Sequence, residues 1–101
     1  MAIDLFCYTT DSSVAVKQMV DVLKKKHQGL FFERFLISEV RDVTAAGKQI
    51  ALDFGLAPKC LFLVRLNDKS AADLISTVTF VLKTAFGIEK LLILHEGETP
   101  I

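Results

Sequence analysis

The stretch Cys60-Leu61-Phe62-Leu63-Val64-Arg65-Leu66 is apolar at six of its seven positions. Successive side chains of a strand point to opposite faces, so a strand apolar at both parities needs cover on both. Ile3-Asp4-Leu5-Phe6-Cys7-Tyr8 and Leu91-Leu92-Ile93-Leu94-His95 read the same way. Segments with helical periodicity separate the three. The pattern predicts an α/β fold: a layered sandwich over residues 1–101, one domain, with a central mixed sheet of four to five strands flanked by three helices.

Upstream of Cys60, a helix is expected from about Thr44 to Phe54, with Gly47, Ile50, Ala51 and Phe54 on one face. Gly55 sits where a helix ends, and Pro58 follows. Downstream, Asn67-Asp68-Lys69 reads as a turn, and Ser70 with Asp73 resembles a capping box. A helix from about Ala71 to Phe86 follows, with Ala71, Leu74, Ile75, Val78, Leu82 and Ala85 on its buried stripe and Gly87 at its end.

The first strand is expected from Ile3 to Thr9. Thr10-Asp11-Ser12-Ser13 offers caps for a helix from about Ser13 to His27. Val16, Met19, Val20 and Leu23 share its stripe; Lys17, Asp21, Lys24 and Lys25 lie off it, and Gly29 stops it. The last strand runs from Leu91 to Glu96, and Gly97 to Ile101 reads as a frayed tail.

Leu30 to Val40 is long for one strand. Glu33-Arg34 marks a bend or bulge, with the main strand near Phe35 to Arg41. There charge and apolarity begin to alternate, as in an edge or half-exposed strand. Strand–helix alternation favours a parallel sheet, whereas two antiparallel pieces within Leu30–Arg41 make it mixed.

A chain of 101 residues, 51% hydrophobic with two prolines, can build one core and is not disordered. No apolar run approaches the ~18 residues of a membrane span. Asp4 interrupts the first apolar stretch, which therefore lacks the form of a signal peptide; the expectation is a cytosolic protein without a membrane partner. Twelve basic and twelve acidic residues cancel, which argues against direct nucleic-acid binding. Lys24-Lys25-Lys26 complements a helix C-terminus. Cys7 and Cys60 fall in strands and read as core thiols rather than a disulfide.

No motif announces catalysis, a metal or a cofactor. Cys7-Tyr8-Thr9-Thr10-Asp11-Ser12-Ser13 has the strand–loop–helix placement of a phosphate-cradling loop, as in phosphocysteine transferase domains and small tyrosine phosphatases. It lacks their arginine and glycine, and Asp11 repels an oxyanion. His27 and His95 have no companions at ligand spacing. Asp4 lacks the acidic neighbours of a phosphorylation site and reads as a hydrogen-bonded position.

The surface candidates lie elsewhere. Phe80 falls opposite the buried stripe of its helix, as a partner anchor does. Arg41, Asp68 and Lys69 follow strands and share one sheet edge if those strands are parallel. Phe31, Glu33 and Glu39 belong to the phenylalanine-rich stretch whose free backbone can pair with another chain.

Met1 to Tyr8, Phe35-Leu36-Ile37-Ser38-Glu39-Val40-Arg41-Asp42 and Phe62 to Ile75 together resemble immunity proteins of bacterial contact-dependent growth inhibition systems. The likeness extends through Leu91-Leu92-Ile93-Leu94. It implies a non-enzymatic cytosolic antidote that binds, one to one, the C-terminal toxin domain of a surface adhesin. It further implies that the toxin is a nuclease, with metal-dependent DNase foremost, and that a toxin hairpin can pair with the sheet. The family sheet is described as largely antiparallel, against the alternation reading. Neutral charge leaves shape and strand pairing, not nucleic-acid mimicry, to supply affinity. The second reading is a small phosphotransfer or phosphatase-like enzyme using Cys7.

Overall fold

A computed structural model describes residues 3–31, 35–66 and 74–101. In chain order it contains β1 (Ile3–Thr9), α1 (Ser13–Lys26), α2 (Gln28–Phe31), β2 (Phe35–Ile37), β3 (Arg41–Asp42), α3 (Ala45–Asp53), β4 (Cys60–Leu66), α4 (Ile75–Phe86), β5 (Leu91–His95) and β6 (Thr99–Pro100). Ser12 caps α1 by accepting from the Ala15 N–H, and Thr44 caps α3 by accepting from Gly47. Lys24, Lys25 and Lys26 fill the last turn of α1, where cations suit the helix dipole.

The sheet runs β2-β4-β1-β5-β6, with β3 also on β4. Every described pairing is antiparallel, which corrects the mixed or parallel sheet expected from alternation. The topology supplies the reason. β2 and β1 both run antiparallel to β4, so the β1-α1-β2 unit joins two parallel strands with β4 inserted between them. The β4-α4-β5 unit likewise joins parallel strands, with β1 between. Two split βαβ units interlock as in ferredoxin-like folds, and adjacent strands end up antiparallel. The helix between β3 and β4 is not a crossover. Asp42 and Cys60 are register partners, so α3 leaves and returns at the same end of the sheet.

One sheet face buries Leu5, Cys7, Phe62, Val64, Leu91 and Ile93 under Val16, Val20 and Leu23 of α1 and Val78, Leu82 and Phe86 of α4. The rings of Phe62 and Phe86 lie 5.7 Å apart. The other face packs Tyr8 and Leu94 against Ala51 and Leu56. Gly47 lets α3 approach: a Cβ there would stand 3.2 Å from Val43 Cγ2 and 3.4 Å from Tyr8. α3 is short, so Phe6, Leu61 and Leu63 remain half-exposed, and Leu36 is exposed.

Four local expectations change. α1 ends at its cap His27, and Gly29 lies inside the following turn of helix, α2, so Phe31 is helical rather than extended. Phe86 takes the buried position expected of Ala85, while Ile50 and Phe54 of the α3 segment are exposed. The tail is paired: Glu96 and Gly97 both have positive φ, and the Glu98 N–H donates to the His95 carbonyl. This tight turn brings β6 onto β5. The expected turn and capping box at 67–73 lie outside the described residues.

Candidate functional site

The margin formed by β2 and β3 is built on an irregularity. Ile37 faces Val64 and Arg41 faces Leu61, so residues 38–40 oppose only Phe62 and Leu63. This is a β-bulge. The Ser38 N–H donates to the Leu63 carbonyl at 2.8 Å, and the Leu63 N–H donates to Ser38 Oγ at 2.9 Å. A hydroxyl thus accepts the bond a backbone carbonyl would otherwise take. The extra residue shifts parity. Phe35, Ile37 and Val40 are buried, and Glu39 and Arg41 are exposed.

Backbone direction alternates along an antiparallel strand. Ser38 turns its N–H toward β4, and Leu36, two residues back, shares that orientation; the amides of Phe35 and Ile37 therefore point outward. Beyond the bulge the Val43 N–H donates to the Lys59 carbonyl, so the Asp42 amide also points outward. Among the described residues no strand pairs with this side.

Between the bulge and α1 lies a recess of about 360 Å³, lined by Lys17, Val20, Asp21, Lys24, Ser38, Glu39 and Val40. Val20 and Val40 are its buried apolar floor. None of its four charged groups forms an ion pair with a described residue.

A second surface lies on the helical layer. α1 and α4 enclose an apolar groove of about 680 Å³ that includes Met19, Val22, Phe80 and Val81. Phe80 is 71% exposed, as its helical position predicts. On its other side it meets Ile88 and Ile101 across a shallower hollow.

Arg41 stands at the Leu61 end of β4, whereas the chain leaves β4 at Leu66, beside Ile3. The shared edge expected for Arg41, Asp68 and Lys69 depended on parallel strands, and β3 and β4 are antiparallel. Glu33, Asp68 and Lys69 lie outside the described residues; Phe31 closes α2. Sequence reading missed Ser38, whose bulge role has no composition signal. It placed Lys17, Asp21 and Lys24 off the buried stripe without assigning them to a site.

Cys7 is fully buried, with its Sγ directed at the Leu5 carbonyl, and burial pushes its thiol pKa up strongly. A nucleophilic cysteine is exposed and ionised near neutral pH; Cys7 is neither. Cys60 is also buried and free, its Sγ 3.3 Å from Thr9 Oγ1 and directed at the Asp11 carbonyl. Desolvation pushes its pKa up, with Asp42 and Asp11 adding to the effect. Asp4 is engaged: Arg65 Nε donates to its Oδ1 at 2.8 Å and Nη2 to its Oδ2 at 3.2 Å. Among the described residues no cluster of histidine, cysteine and carboxylate groups could hold a metal, and no helix is long and apolar enough to cross a membrane.

Known proteins share this architecture. Immunity protein CdiI-2 of Burkholderia pseudomallei (strain 1026b) is 43% identical over 98 residues, covering 97% of each chain. A chain in a solved CdiA-CT/CdiI toxin and immunity complex from Burkholderia pseudomallei superposes with a TM-score of 0.93 at 41% identity, over 97% of this chain and 95% of that one. The model of the family described as CDI System Immunity Component matches residues 1–99. With likeness in sequence and fold over nearly its whole length, the chain belongs to the family of immunity components of contact-dependent growth inhibition systems.

Proposed function

We propose that this chain binds, one to one and in the cytoplasm, the C-terminal toxin domain encoded with it, and neutralises that toxin by taking one of its strands along the β2–β3 margin. The observation that carries the reading is a margin that no described strand pairs with, where the Phe35, Ile37 and Asp42 amides turn outward beside exposed Glu39 and Arg41. An open edge is a template for another strand, and backbone hydrogen bonds supply affinity. Relatives at this identity support the choice of partner, since one is an immunity protein and the other belongs to a toxin and immunity complex. The chain acts by occupying surface, without turnover; both its cysteines are sealed in the core. Phe80 lies across α1 from the margin, so the contact proposed is with Glu39 and Arg41.

The toxin's activity is proposed to be that of a metal-dependent nuclease, acting first on DNA; the sequence resemblance supports this. A chain with no net charge is poorly suited to mimic a polyanion, which favours a steric or allosteric block.

Co-expression with the C-terminal domain of the adjoining adhesin frame tests the assignment. Growth is expected to depend on this chain, and the purified toxin is expected to degrade nucleic acid until the chain is added. Incubation with DNA and RNA, with and without a chelator, identifies the substrate. Amide hydrogen exchange of the complex tests the mode of binding. Slowed exchange at Phe35 and Ile37 is expected; unchanged exchange there, with protection elsewhere, removes strand pairing.

A further inference from the structure

We infer that the recess beneath α1 selects the partner by charge order: it fits an extended toxin segment whose recess-facing side chains run acidic, basic, acidic at alternate positions. The inference rests on the strand-pairing reading, because the recess opens along the same bulged margin.

Lys17, Asp21 and Lys24 follow one another at spacings of four and three residues and line the recess together. At ~1.5 Å of rise per residue they span about 10 Å along α1. Side chains on one face of a strand recur every ~6.8 Å, so three of them span about 13 Å. Lysine stems absorb a difference of that size. A strand laid on β2 turns every second side chain toward the helical layer, where it meets plus, minus, plus in order. Glu39 adds a carboxylate from the sheet side, so the recess contains two groups of each sign.

Two features make this a filter rather than a general attraction. The four groups have no ion-pair partners among the described residues, so a strand that covers them without matching charges desolvates them uncompensated. The balance of signs also means that no strand of a single charge can satisfy the recess. Discrimination then comes as much from rejection of the wrong strand as from capture of the right one. This agrees with the chain's zero net charge, which provides no long-range steering and leaves selection to local pattern.

The test uses the purified chain and the toxin domain of the adjoining frame, with Kd measured at low and high salt. Asp21→Lys and the pair Lys17→Glu/Lys24→Glu are each expected to weaken binding about tenfold or more at low salt, and less at high salt. Lys17 and Asp21 are exposed and Lys24 is half-buried, and circular dichroism verifies that each variant folds. Reversing the toxin's central basic residue is expected to restore binding to Asp21→Lys alone. If both reversals leave Kd within about twofold while Phe35 and Ile37 still gain exchange protection, the charge filter is overturned and strand pairing stands. If those amides gain no protection, strand pairing falls and takes the filter with it.

Discussion

The two margins of the sheet are finished differently. At one, β6 is two residues long and contains Pro100. Ile101 N–H donates to the Ile93 carbonyl, so the outward position of that strand is Pro100, which has no N–H to offer. This is how a monomer discourages edge pairing. At the other, β2 and β3 carry outward amides with no proline, and a bulge supported by Ser38 interrupts the run. A bulge limits indiscriminate pairing by bending the edge, yet leaves donors accessible to a strand of matching shape. One margin is guarded by a proline, and the other by a bulge.

Exchanging these finishes should break the contrast. Asp42→Pro removes an outward donor while leaving the Val43 bond to Lys59 intact. Its ring also obstructs an incoming strand. Toxin binding is expected to weaken about 100-fold, or ~2.7 kcal/mol, with the far-UV spectrum unchanged. Pro100→Val, which adds a donor at the opposite margin, is expected to leave Kd within about twofold. Calorimetric titration of both variants decides whether the margins differ in function as they differ in structure. Equal losses would show that binding does not distinguish them.

A smaller effect is expected from the bulge itself. Ser38→Ala takes the acceptor from the Leu63 N–H, a group within the ladder beside a buried core strand. Leaving such a donor unpaired costs about 1–3 kcal/mol. Urea unfolding is expected to show a loss in the lower half of that range, since water reaches the edge. Ser38→Thr, which keeps the hydroxyl, should recover most of it. A neutral Ser38→Ala would mean that backbone geometry alone holds the bulge.

The sequence makes some of these features legible and others not. β4 is plain in Cys60–Leu66 because a seven-residue apolar run between turn residues is short for a helix and right for a strand. Phe80 is plain because 100° per residue places it opposite Val78 and Leu82 with no tertiary information. The antiparallel order is not, because local alternation fixes that β1 and β2 are joined by a helix, not that β4 inserts between them. That choice depends on contacts between residues 59 apart, such as Leu5 with Val64. The bulge left a faint trace: Phe35, Ile37 and Val40 break period two at Glu39, a signal for an extra residue that the nearby Glu33-Arg34 obscured. The recess was invisible, since charges off a buried stripe look alike until a neighbouring edge gives some of them a common direction.

The smallest predicted effect concerns the strands between the margins. Arg65 and Asp4 face each other across β4 and β1 on the sheet face that α3 leaves open. The guanidinium, through its hydrogen bonds and then its charge, holds the Asp4 carboxyl below the ordinary carboxylate range. A carboxyl with a lowered folded-state pKa stabilises the fold fully above its unfolded value of ~3.9, and that contribution fades as pH falls through the folded value. The pair is solvent-exposed, so its contribution is small. Arg65→Ala should therefore lower the urea midpoint slightly near pH 7, and the gap from the unaltered chain should close as pH falls through the lowered folded-state value of Asp4. A gap that persists in acid would instead assign the loss to the Arg65 stem, which lies beside exposed Leu36 in the register of β2 and β4. In that case packing next to the open margin, rather than charge, would be what Arg65 contributes.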